Sequence, residues 1–307
     1  MSSALLQDAL LSHCACLPDS FLSSYSLEWS NLFGTTPVGD LARKQSSWDR
    51  PGISLDISQV WAGLHSSREK AVFLAASAQH SGSWLAALPI SSCGLRLDNE
   101  AVRVAVALRL GLHVCVPHEC RCGSSVDAWG SHAFVCKRAM ARSTRHQAIN
   151  DIVARSIISS GVPVSKEPAG MISGSLKRPD GVTLIPWKGG KALSWDATVA
   201  TTLADSYLED SAAHSGFASE SAASKKVAKY SNLPREFIFQ PVALENLGPT
   251  SSSTAEFFTE LGRRIGLVSG DPREEFYLRQ RISVCIQRFN AVLLHQSFVD
   301  PLPEPDE

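Results

Sequence analysis

The sequence predicts an α/β fold, a mixed sheet with helices on both faces, preceded by a mostly helical N-terminal region. Three observations carry this. Ile149, Ile152, Val153 and Ile157 recur at helical spacing and stop at Gly161. Strand-like runs follow at residues 162–167, 181–185 and 191–199, the last two separated by the turn-forming Pro186-Trp187-Lys188-Gly189-Gly190. Near the end, Leu278, Ile282, Cys285, Phe289 and Val292 form one apolar stripe, as a core-facing helix requires.

Each element has its own signal. Residues 1–115 read as a mostly helical connector region, with polar, proline-bearing interruptions at 35–52 and 87–95 and a helix at 101–110. Residues 116–140 hold a cysteine and histidine cluster, and residues 141–307 hold the sheet with its C-terminal helices. There, a helix over 144–160 precedes the three strands. A Ser/Ala-rich stretch then leads to a lysine-bearing helix over 219–233, followed by a strand over 237–244. Helices over 254–265 and 272–296 close the chain, the second with Asp271 as cap, Pro272 at its first position and Glu274 completing a capping box.

Composition bounds the function. With 307 residues and 44% hydrophobic content, the chain can bury a full core in one or two domains. A net charge of −1 gives no general attraction to phosphate. Residues 137–235 nevertheless carry 14 Lys and Arg against 8 Asp and Glu, and Lys137, Arg138, Arg142 and Arg145 are candidates for a cleft that tracks a nucleic-acid backbone. The most apolar run, 101–112, is broken by Arg103 and Arg109, so no membrane span is expected. No signal peptide is read. Eight cysteines with a ligand-like subset fit a reducing, intracellular compartment better than a disulfide framework.

That subset is Cys120, Cys122, His132 and Cys136. Three thiolates and one imidazole suit tetrahedral Zn²⁺, and four protein ligands leave no open position, so the ion would be structural. Cys115 and His118 lie close enough in sequence to replace a member. Cys14, Cys16, Cys93 and Cys285 lack ligand spacing and read as buried free thiols.

The remaining chemistry centres on Asp180 and Asp196. A turn centred on Lys188 pairs residues whose numbers sum to 376, as these two do, which sets the carboxylates across from one another with Cβ atoms roughly 5 Å apart. Two such carboxylates repel unless a cation lies between them, and Mg²⁺ there activates water for phosphodiester hydrolysis. A shift of one residue would put them on opposite faces, and a Pro-Asp turn with an exposed edge charge is the plainer alternative. Lys226 and Lys229, three apart, share a helix face; Ala223, Val227 and Tyr230 form the opposite, core-facing stripe, with Lys225 solvated. Glu167 and His146 are further candidate site residues.

Together these stretches resemble the carboxyl-terminal part of non-long-terminal-repeat retrotransposon proteins, where a zinc knuckle and a restriction-like endonuclease of the PD-(D/E)XK superfamily follow the reverse transcriptase. The likeness runs from about Ser81 to Val299, through Ser81-Gly82-Ser83-Trp84-Leu85, His118-Glu119-Cys120-Arg121-Cys122-Gly123, Arg145-His146, Asn150-Asp151, Lys166-Glu167-Pro168, Lys177-Arg178-Pro179-Asp180-Gly181, Trp195-Asp196-Ala197-Thr198-Val199, Lys226 to Tyr230 and Gly262-Arg263-Arg264-Ile265. The resemblance implies a restriction-endonuclease-like core, Asp180 and Asp196 as Mg²⁺ ligands, and a displaced catalytic cation. Where the superfamily places lysine, two residues after the second acid, this chain has Thr198; Lys226 and Lys229 match the Lys-x-x-Lys-Tyr helix that supplies the cation instead.

The expectation is a Mg²⁺-dependent DNA endonuclease module in a nuclear setting, with DNA as partner, RNA as a second nucleic-acid partner, no membrane, and a reverse transcriptase domain in a longer relative. No Tyr-x-Asp-Asp polymerase signature occurs, so reverse transcription by this chain alone is not expected. Two competing readings are a catalytically silent nucleic-acid-binding fragment and a zinc-stabilised protein-interaction module.

Overall fold

The computed structural model describes residues 19–34, 45–171 and 177–298. Cys14, Cys16 and residues 35–44 lie outside them. The chain divides into two compact units, Met1–His65 and Ser66–Glu307, and the boundaries expected at 115 and 140 fall inside the second.

In the first unit, α1 spans Asp19–Phe33 and α2 spans Gln45–Ala62. The interruption expected through residue 52 is therefore helical from Gln45 onward. Pro51 lies within α2, where its ring removes one backbone hydrogen bond and crowds the carbonyl four residues earlier.

The second unit opens with α3 (Ser67–Ser77), whose Ser66 and Glu69 form a capping box, and α4 (Asn99–Leu110), capped by Asp98 and ended by Gly111 in the left-handed conformation. A small ribbon of β1 (His118–Glu119) and β2 (Ser125–Val126) leads to the short α5 (Ser131–Val135) and the long α6 (Ala141–Ser159). The main sheet contains β3 (Val164–Lys166), β4 (Gly181–Thr183), β5 (Ala192–Ala200) and β6 (Phe237–Glu245). Between β5 and β6 run α7 (Leu208–Ala213) and α8 (Phe217–Lys229); α9 (Ser252–Ser269) and α10 (Glu274–His295) follow.

Strand order is β3-β4-β5-β6, antiparallel except for the parallel β5–β6 pair. The fold is thus a mixed four-stranded sheet with helices on both faces. Strand alternation explains the layering. Leu193, Trp195 and Ala197 of β5 and Val242 and Leu244 of β6 pack with α6, α9 and α10, while Ala243 of β6 packs on Ala222 and Ala223 of α8. Asp196, between two core-facing residues of β5, consequently lies on the α8 side.

The register 376 is present, since Gly181 pairs with Trp195 and Val182 with Ser194. It does not come from a five-residue loop. Gly189 and Gly190 both have positive φ, 57° and 75°, in a two-residue turn closed between Lys188 and Lys191. Three extra residues on the outgoing side restore the register: β4 ends at Thr183, and Leu184 and Ile185 are exposed. Their polar environment and Pro186, which has no N–H for the ladder, end the strand early.

Two further expectations are corrected. The α10 capping box does not form: the helix begins at Glu274 with no side-chain cap, and the Asp271 carboxylate instead accepts from Arg273 N–H and pairs with its guanidinium. That local turn satisfies Asp271 before the helix begins. Val227 is exposed, and the core face of α8 consists of Ala218, Ser219, Ala222 and Ala223. Small residues there let α8 lie close to the sheet.

Gly181 is required by close approach. A Cβ at this position would overlap the six-membered ring of Trp195, which is fully buried. Gly181→Ala should therefore destabilise the protein by about 1–3 kcal/mol through overpacking, lowering the calorimetric melting temperature by several degrees. An unchanged melting temperature would show that the Trp195 ring is not seated on this glycine.

Candidate active site and metal centre

Asp180 and Asp196 lie at one end of the β4–β5 pair, Asp180 beside α6 and Asp196 beside α8. Asp180 leaves regular pairing: its N–H donates to Trp195 O at 2.9 Å, and its Oδ2 accepts the Ala197 N–H at 2.6 Å. Its Oδ1 lies 3.0 Å from His146 Nε2 on α6. This contact raises the His146 pKa despite burial, with the negative charges of Asp180 and Asp196 contributing. Asn150, one turn further along α6, donates to Asp180 O at 3.3 Å and accepts from Trp195 Nε1 at 2.8 Å, tying the helix to both strands. His146 thus belongs to the cluster. Glu167 does not share in these contacts; it is an exposed residue with φ 49° whose N–H donates to Asp180 O.

Asp196 is 2% exposed. Lys226 Nζ donates to its Oδ1 at 2.6 Å and Lys229 Nζ to its Oδ2 at 3.1 Å. Burial pushes this carboxyl up, but Lys226, with Tyr230 and Lys229 assisting, outweighs burial and holds it below the usual carboxylate range. Both lysines thus converge on one carboxylate, as their shared helix face allows. The next residue, Tyr230, donates its hydroxyl to Arg178 O at 2.6 Å and so steadies the segment that carries Asp180.

Sequence reasoning missed Glu245. Fully buried at the end of β6, it accepts from Thr202 Oγ1 at 2.7 Å and from Ser219 N–H at 2.9 Å in the first turn of α8. A carboxylate there satisfies an unpaired helix N–H and complements the helix dipole, and so fixes how α8 presents Lys226 and Lys229. The signal was a lone acid closing a mostly apolar strand.

Beside these lysines lies a cleft of about 410 Å³ lined by Arg142, Lys225, Lys226 and Lys229, with no acidic residue in its wall. Phe134 and Val135 of α5 and Thr198 of β5 contribute to the lining. Lys225, expected to be only solvated, donates to the Tyr207 hydroxyl at 2.8 Å and lies over that ring. Arg145 does not join this basic surface. It is 3% exposed and its Nη1 has no hydrogen-bond partner, because its position on α6 points inward towards Cys285.

The second cluster assembles as read. The ligand atoms of Cys120, Cys122, His132 and Cys136 all lie within 4.8 Å of one another, so the set can hold a metal ion. Cys120 and Cys136 sulfurs are 3.8 Å apart, and Cys122 Sγ is 3.0 Å from His132 Nε2. The two alternatives are engaged elsewhere: Cys115 with Asp127 O, and His118 with Ser297 Oγ at 2.7 Å while stacking on Phe298. Burial pushes the Cys120 thiol up to about 11, whereas hydrogen bonds, first from the Ser124 hydroxyl, draw Cys122 down to about 6. Cys285 is buried as expected, but Cys93 is exposed, because the short turn at Ser91–Cys93 buries none of its residues. Among the described residues, no helix is long and apolar enough to cross a membrane.

Neither a protein-family model nor a curated protein matches the chain.

Proposed function

We propose that the chain is a Mg²⁺-dependent DNA endonuclease module with a restriction-endonuclease-like core and a structural zinc knuckle, of the kind found in non-long-terminal-repeat retrotransposon proteins. One observation carries the reading: the two lysines paired with the buried Asp196 also line a cleft whose charged residues are all basic, with a second aspartate on the adjoining strand segment.

The donor set suits Mg²⁺. Asp180 and Asp196 offer hard oxygen ligands, and the two ammonium groups on Asp196 end flexible chains that are 21% and 40% exposed, so both can turn towards a phosphate. When bound, Mg²⁺ supplies an activated water and neutralises charge on the phosphate. Lys226 and Lys229 then stabilise the attacked phosphate, Arg142 and Lys225 hold neighbouring phosphates, and His146 keeps the Asp180 carboxylate oriented. The soft ligand set of Cys120, Cys122, His132 and Cys136 suits Zn²⁺ in a closed structural site that sets α5 at the rim of the cleft.

Lys226→Ala should slow nicking of supercoiled plasmid by about 10²-fold, and more than Lys229→Ala, because Lys226 lies closer to Asp196 and is less exposed. Equal rates for both variants and wild type would remove the lysines from the mechanism. A second reading, a silent DNA-binding module, is favoured by Thr198 in the lysine position and by the balance of two carboxylates with two ammonium groups without a metal. DNA binding without nicking in Mg²⁺ or Mn²⁺ would establish it.

A further inference from the structure

A second basic cleft, of about 510 Å³, lies between α6, α10 and the turn at Ser91–Cys93. Arg155 on α6 and Arg281 and Arg288 on α10 line it. Arg155 is nine residues from His146, half a turn round an α-helix, so the cleft opens on the side of α6 away from the aspartates.

Its arginines differ from those that form ion pairs elsewhere in the protein. Arg68, Arg103, Arg263, Arg264, Arg273 and Arg279 each pair with a carboxylate. Among the described residues no ion pair involves Arg155, Arg281, Arg288 or the neighbouring Arg145. Arg281 Nε is buried with no hydrogen-bond partner, and so is Arg145 Nη1 behind the wall. Arg288 donates only to the carbonyls of Gly94 and Arg96, at 2.8 and 3.0 Å. The single acid in the lining, Asp151, is already paired with Lys166. Burial draws the Arg145 pKa down to about 10, and Arg145 and Arg288 both act electrostatically on the Cys285 thiol, which lines the cleft.

Guanidinium groups gathered without a counter-charge repel one another, and a buried N–H without an acceptor is costly. An oxyanion relieves both. We infer that this cleft is a phosphate-binding site, separate from the aspartate cluster, in which Arg155, Arg281 and Arg288 hold one phosphate group. Arg281 offers the unsatisfied N–H, and the planar guanidinium fork matches phosphate geometry. The cleft volume falls in the range of small-ligand sites, about 300–1,000 Å³; either a phosphodiester of bound DNA or a free phosphate supplies the same chemistry.

Two measurements on the full chain test this, with Arg281→Gln and the exposed Arg155→Gln. The first is the melting temperature in inorganic phosphate against chloride of equal ionic strength; the second is the salt dependence of short-duplex binding without divalent metal. Wild type should be stabilised by phosphate, and each variant should lose that gain. If the phosphate comes from DNA, each variant also lowers the salt slope by about 0.9; if the ligand is free, the slope is unchanged while the phosphate shift is lost. Variants indistinguishable from wild type in both measurements overturn the site. Because neither measurement requires cleavage, this outcome is independent of the nuclease reading.

Discussion

Asp196→Asn and Asp180→Asn are each expected to abolish Mg²⁺-dependent plasmid nicking, by about 10³-fold or more, while leaving DNA binding intact or tighter. Losing a metal ligand forfeits several kcal/mol of transition-state stabilisation, and each 1.36 kcal/mol is about tenfold in rate. Asparagine keeps the shape and removes the charge, so lost activity is not confused with lost packing around the buried Asp196. Lys226 and Lys229, both reaching solvent, can be hydrated when their partner is neutralised. Less negative charge then stands beside the lysines that face the phosphate, which strengthens binding. Conversion of supercoiled to open circle measures the rate, and fluorescence anisotropy measures affinity. Nicking that persists in both variants would place the chemistry elsewhere and end the nuclease proposal.

The second large effect concerns the cysteine cluster. Protein purified without chelator should contain about one zinc per chain, and Cys120→Ser should contain almost none, with a clear fall in melting temperature. The apolar cluster around the ligands is small, consisting of Cys120, Val126 and Cys136 with Cys115, Cys122 and Ala139 packed around them, and Ala133 and Phe134 anchor the segment to the larger core. In domains this small, metal binding is a large share of the folding free energy, on the order of 10 kcal/mol in isolated zinc fingers. The ligands bind as thiolates and neutral imidazole, so acid competes with the metal. Zinc release is therefore expected on acidification, as protons displace the metal from the four ligands. Metal analysis of the wild-type protein that finds no zinc would refute the knuckle.

Local patterns made several features legible without a structure. Periodicity located α6 and α10, because a helix records its buried face every three to four residues. Ligand chemistry singled out Cys120, Cys122, His132 and Cys136, since three thiolates and an imidazole have few other uses at that spacing. The shared face of Lys226 and Lys229 followed from helical geometry alone.

Other features depend on contacts between distant segments, which no local pattern encodes. The register of the aspartates is right at their end of the hairpin but arises from a tight glycine turn and three looped residues, where a single symmetrical loop was expected. Arg145 looked like one of four exposed cations; the packing of α6 against α10 buries it. Glu245 gained its place from the parallel pairing of β5 and β6, which brings the end of β6 to the start of α8. The sequence by itself determined which side chains can do chemistry and which helices and strands carry them. Only the tertiary structure decided which partners those side chains meet, because burial and charge pairing are set by neighbours tens of residues away along the chain.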